Sequence, residues 1–150
     1  MKPKIIKPED ERAKRLLVKA IEDLIEEDKN LDWFPGIYKD PKYYEEEYIK
    51  QRKYDVIIME RGDAALGYII GRKETEHIYG VEMHYVLPGM RGIGIAKQLK
   101  QALENTARQQ GFKLITSYAS INNHASIKLN EATNYTQETI GNYIYFKKEL

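Results

Sequence analysis

The order of elements along this 150-residue chain predicts an α/β (α+β) fold, a mixed and mostly antiparallel sheet of about seven strands packed with helices. Two observations lead there. Apolar runs joined by short polar turns, at 54–72 and again at 135–148, read as antiparallel hairpins. Between them one strand passes through a glycine-rich corner into a helix and out into another strand. A strand–helix–strand unit of that kind sets its two strands parallel, so a parallel pair stands between antiparallel ladders.

Residues 2–7 suit a short strand. Over 11–27 the apolar residues Ala13, Leu16, Leu17, Ala20, Ile21, Leu24 and Ile25 recur at helical spacing, and Asp28-Lys29-Asn30 ends that helix. A loop containing Trp33-Phe34-Pro35 leads to a tyrosine-rich helix near 41–52. Residues 54–60 read as a strand, 61–63 as a turn and 65–72 as the antiparallel partner, with a further strand at 80–87. A helix over 93–110 carries Ile95, Leu99, Leu103 and Ala107 along one face and stops at Gly111. Residues 112–119 form a strand, 123–132 a helix, and 135–138 with 143–148 a final hairpin.

Residues 1–150 are read as one domain, with no repeat, linker or low-complexity block. The formal charge of +1 gives no field toward nucleic acid or acidic membranes, so neither is expected as a partner. The chain has no cysteine, which excludes disulfides, thiol nucleophiles and thiolate metal sites. His77 and His124 lack partners at metal-ligand spacing, and no metal is expected. The N-terminus lacks the apolar core of a signal peptide, and nothing approaches the ~20 apolar residues of a membrane span. A cytoplasmic protein is the expectation.

The most telling run is Tyr85-Val86-Leu87-Pro88-Gly89-Met90-Arg91-Gly92-Ile93-Gly94-Ile95-Ala96. A strand entering a helix through such a turn aims free backbone N–H groups, and the positive end of the helix dipole, at one point. That point suits an anion. The dinucleotide fingerprint fails because its third glycine would fall on Lys97, and no nucleoside-triphosphate loop is present. Arg91-Gly92-Ile93-Gly94-Ile95-Ala96 instead fits Arg/Gln-x-x-Gly-x-Gly/Ala throughout. It resembles the signature of the GNAT superfamily of N-acetyltransferases, whose turn binds the pyrophosphate of acetyl-coenzyme A. Leu66-Gly67-Tyr68-Ile69 resembles that family's third strand, and Asn123-x-x-Ser126-x-x-Leu129 its later motif.

The resemblance covers essentially the whole chain. It implies helices on both faces of the sheet, and a parallel pair that splays, often through a bulge, to admit the acyl arm. It also implies acetyl-coenzyme A as co-substrate, held by Tyr85, Val86, Leu87, Arg91, Gly92, Ile93, Gly94, Ile95, Ala96, Asn123, Ser126 and Leu129. The Val86 N–H is the expected donor to the acyl carbonyl. Acetyl transfer to an amine also requires that an ammonium with a pKa near ~10 lose its proton and that the departing thiolate, pKa ~8.5 as the thiol, be tolerated or protonated. Family members often place a base on the strand that ends at Leu87. Glu82 and His84, two apart, are therefore expected on Val86's face, with Glu82 as the base and His84 second. The bland readings are a Glu82 paired with a basic neighbour such as Arg72, and a His84 packed in the core.

The family's usual general acid is a tyrosine following the leucine of the later motif. Here that position is Asn130, which cannot donate a proton to a thiolate. Tyr118, Tyr135 or a water remain open as substitutes. The acceptor, a small-molecule or protein amine, is expected against the 33–44 region, the later tyrosines and the 138–143 turn. The acidic run over 22–32 would favour a cationic acceptor if it borders the cleft. A homodimer stays open, as does a non-catalytic acyl-coenzyme A sensor on the same fold.

Overall fold

The structure, a computed structural model, describes residues 2–7, 9–28, 46 and 54–150. The expected helix near 41–52, the Trp33-Phe34-Pro35 loop and the last part of the acidic run lie outside them. The described elements are β1 (Pro3–Ile5), α1 (Glu11–Asp28), β2 (Asp55–Arg61), β3 (Ala64–Lys73), β4 (Ile78–Val86), α2 (Ile95–Gln109), β5 (Leu114–Ser120), α3 (His124–Ala132), β6 (Thr136–Ile140) and β7 (Tyr143–Glu149), with a single 3-10 turn at Pro88–Met90. Seven strands form one sheet in the order β1-β2-β3-β4-β5-β7-β6. Every neighbouring pair is antiparallel except β4 and β5. The mixed sheet expected from the element order is present, and α2 makes the crossover within the parallel pair.

The sheet has a core on each face, which explains why β2 reads as a continuous apolar run rather than an alternating one. Val56 and Ile58 join Leu17 and Ile21 of α1, while Ile57 and Met59 face the other way into the core that contains α2. Asp10 starts α1 by accepting the Ala13 N–H at 3.0 Å, an N-cap that satisfies one orphan donor of the first turn. The predicted stripe of α2 is the buried one: Ile95, Leu99, Leu103 and Ala107 are all at most 2 % exposed. Helix α2 starts two residues later than the periodicity suggested, because Gly92 and Gly94 take left-handed φ values of 83° and 90° and hold the chain in the turn. Gly111, at φ 89°, and Asn134, at φ 68°, adopt the left-handed conformation that ends the preceding helices.

The parallel ladder is short. Ile78, Tyr79 and Gly80 pair with Leu114, Ile115 and Thr116, and there the pairing stops. Strand β4 runs on for six more residues along β3, and β5 runs on along β7. The two strands therefore part beyond Gly80 and Thr116, leaving an open V whose edges keep unpaired backbone groups. A bulge accompanies the parting. Ile70 pairs with Met83 but Gly71 pairs with Val81, so Glu82 is the extra residue on β4.

Candidate active site

The corner after β4 builds the anion cradle. Gly94 is the N-cap of α2 in the left-handed region and no side chain caps the helix, so the first-turn N–H groups are not taken by a capping side chain. A Cβ added at Gly92 would meet nothing within 4 Å, and one at Gly94 would only reach Gln98 Nε2 at 4.0 Å. The concave side of the turn thus keeps room for a phosphate group at the positive end of the helix.

Strand β4 then leads from the cradle to the V. Leu87 donates its N–H to Leu66 on the β3 side at 2.9 Å. Backbone groups alternate along a strand, so the N–H and carbonyl of Val86 point to the opposite edge, into the V. Arg91 occupies part of that edge by donating its Nε to the Val86 carbonyl at 2.9 Å, and its guanidinium lies 5.5 Å from the Tyr85 ring centroid. Arg91 therefore braces the turn against β4.

The expectation that Glu82 and His84 share Val86's face is corrected by the bulge. His84 pairs with Ile69 and Val86 with Gly67, both on the α2 side of the sheet. Glu82, displaced by the extra residue, pairs with Arg72 through a 2.6 Å contact to its Nε on the α1 side, where Arg72 also stands over the Tyr54 ring. Glu82 is about one-fifth exposed and so can meet an acceptor entering from solvent. His84 packs half-buried against α2: burial, then the Lys100 charge, push its pKa down to about 3, with a hydrogen bond to the Ala96 backbone acting the other way. Its Nε2 makes no hydrogen bond among the described residues.

Tyr118 stands on the α1-side face of β5, 58 % exposed, with its ring centroid 4.7 Å from that of Tyr145 and the two planes tilted by 44°. It is on the opposite face from Asn130. Asn123 and Ser126 make local contacts that their motif did not announce. The Asn123 Oδ1 accepts the Ser126 N–H at 3.2 Å as the N-cap of α3.

Two functional candidates escaped the sequence reading. Glu74 reaches across the last parallel rung: its carboxylate lies over Gly80 and accepts from Thr116 Oγ1 at 3.3 Å, at the point where β4 and β5 separate. Lys100, on α2, is 2 % exposed and donates to Asn130 Oδ1, itself 1 % exposed. The spacing of Lys100 and Glu104, four apart beside the apolar stripe, was the available signal, but it reads equally as a solvated helix edge.

The fold has counterparts among solved structures. The family described as "Acetyltransferase (GNAT) family" matches residues 15–134. Among solved structures, the GNAT domain of Streptomyces lividans PAT superposes with a TM-score of 0.81 at 16% identity, covering 99% of this chain and 89% of that one. The PaiA N-acetyltransferase of Thermoplasma acidophilum, solved with coenzyme A, gives 0.75 at 15% identity over 100% of both chains. The ribosomal-protein-alanine N-acetyltransferase of Brucella melitensis gives 0.72 at 17% identity, again over 100% of both. No curated protein matches the chain in sequence. Among the described residues, no helix is long and apolar enough to cross a membrane. With its parted β4 and β5, its glycine cradle and the family match over 120 of its 150 residues, the chain belongs to the GNAT acetyltransferase family.

Proposed function

We propose that this protein transfers an acetyl group from acetyl-coenzyme A to a primary amine by direct attack. The observation that carries the reading is the continuity of cradle and V. An uncapped helix N-terminus at Gly94 takes the pyrophosphate, and the parted strands beyond Gly80 take the acyl arm as if it were a missing strand. The Val86 N–H, aimed into the V, polarises the carbonyl as it gains charge. Holding both reactants in line supplies much of the acceleration without a covalent enzyme intermediate.

The two faces of the V divide the work. Glu82, on the α1 side and oriented by Arg72, takes the amine proton directly or through one water. His84, with its pKa near 3, is a poor proton acceptor and serves the packing of β4 on α2. The aromatic pair Tyr118–Tyr145, with Glu74 and Glu138 near it, lines the side from which a cationic acceptor enters. Such a reaction fits a cytoplasmic enzyme. A thiol-release assay with acetyl-coenzyme A across amino acids, polyamines, aminoglycosides and peptide N-termini tests the reading. Acceptor-dependent release is expected. Tight coenzyme binding with no release from any amine would make the protein a sensor instead.

A further inference from the structure

A buried polar cluster sits on the α2 face of the sheet. Its centre is the Lys100 ammonium. Lys100 follows the Gly94 N-cap by six residues, about 9 Å along the helix. It donates to Asn130 on α3, whose amide is held in turn by donating to the Ser126 carbonyl at 2.9 Å. His84 faces it from β4. The Tyr135 ring lies 4.0 Å beneath Nζ. Glu104 lies on the same helix one turn on, and Lys148 of β7 is bound to Glu104 at 2.9 Å. Lys100 thus lies between His84, on the stretch of β4 that has parted from β5, and Asn130 of α3, on the α2 side of the V.

A lysine is seldom enclosed in this way without a carboxylate on it. Here the carboxylate of Glu104 is engaged by Lys148, whose Nζ also donates to the Thr133 carbonyl at 3.1 Å. The Lys100 ammonium has three N–H groups and, among the described residues, one hydrogen-bonded acceptor, Asn130 Oδ1.

We propose that Lys100, held by Asn130, donates the proton that the departing coenzyme thiolate takes up. The inference rests on the acetyl-transfer reading above. When the tetrahedral adduct collapses, the C–S bond breaks and its electron pair goes to sulfur. A Lys100 N–H bond breaks, the S–H bond forms, and the neutral amine regains a proton from solvent after the thiol leaves. The flexible four-carbon stem lets Nζ turn from Asn130 toward the sulfur. The energetics agree in direction. Burial, with Lys148 adding to it and Glu104 opposing, lowers the Lys100 pKa from 10.5 to about 7. Against a thiol pKa of ~8.5, transfer from such a lysine is favoured about 30-fold, whereas an ordinary lysine would hold its proton about 80-fold too well.

The test follows the Lys100 side chain by NMR of 13C-labelled lysine while coenzyme A or desulfo-coenzyme A is added to the full-length protein. Coenzyme A should shift the Lys100 titration away from that of the free protein, because its sulfur contacts Nζ, and desulfo-coenzyme A, which lacks that sulfur, should not. Lys100→Met should lower kcat about 10²-fold with the KM for acetyl-coenzyme A within threefold. The wild-type fall in kcat above pH 7 should vanish in that variant. If coenzyme A binds and the Lys100 signal titrates as in the free protein, or if Lys100→Met keeps the wild-type pH profile and rate, the assignment is overturned while the acetyl-transfer reading stands. If coenzyme A does not bind at all, the reading and the assignment fall together.

Discussion

Replacing Lys100 by Met should make the protein more stable at neutral pH and flatten its stability between pH 7 and 9. Met matches the length of the lysine stem, so the helix packing is kept. In the folded chain the Lys100 pKa is lowered from 10.5 to about 7, chiefly by burial. At 1.36 kcal/mol per pH unit, that lowering is worth roughly 5 kcal/mol against the charged form. At pH 7 the unfolded lysine is fully charged and the folded one half charged, so burial costs about 4 kcal/mol; at pH 9 the cost is about 2 kcal/mol. The wild type should therefore gain about 2 kcal/mol from pH 7 to pH 9, because the unfolded chain binds the extra proton throughout that window. The variant also leaves Asn130 Oδ1 buried without its donor, at a cost of about 1–3 kcal/mol. Net stabilisation of about 2 kcal/mol at pH 7, fading to near zero at pH 9, is expected. Urea unfolding of both proteins at pH 7, 8 and 9 measures it. Among the described residues, no other group with a shifted pKa titrates within this window. The lowered His84 pKa makes stability fall only as pH drops from 6.5 toward 3, and the raised Tyr79 and Tyr135 phenols contribute stability that is lost only above ~10. Parallel midpoints for the two proteins across pH 7–9 would show that the buried lysine carries no such penalty.

Gly94→Val should abolish coenzyme A binding by calorimetry and cost about 1–2 kcal/mol of stability, since a β-branched residue is strained at φ 90° and its side chain enters the cradle; wild-type affinity in a folded variant would remove the turn from the site. Glu82→Gln should lower turnover ~10²-fold or more with coenzyme binding preserved, and retention of more than about half the wild-type rate across pH 6–9 would exclude Glu82 as the base. Asn123→Ala removes the N-cap of α3 and should cost about 1 kcal/mol in urea unfolding. It should also raise the KM for acetyl-coenzyme A more than it lowers kcat. An unchanged KM would leave Asn123 with the capping role alone.

Local patterns were legible in the sequence. The left-handed Gly92 and Gly94, the buried stripe of α2, the stop at Gly111 and the tolerance of Asn134 for positive φ all follow from the residue and its near neighbours. The parallel pair was legible too, because a strand–helix–strand order permits little else. Strand ends were less so: β4 starts at Ile78, two residues before the expected Gly80, since its first rung is made with Leu114, which is far away in sequence.

The sequence by itself determined the order of the described elements, the left-handed glycine turn and the family, because each depends on residues within a turn or two of one another. Only the tertiary structure decided which face each candidate takes. A single extra residue at Glu82 breaks the alternation along β4, sending Glu82 to Arg72 and leaving His84 against α2. The meeting of Lys100 with Asn130 across 30 residues, and of Glu74 with Thr116 across 42, are likewise products of packing. Register and helix docking are set by the sum of distant contacts, so a side chain's neighbours, and with them its charge state, are absent from any local pattern.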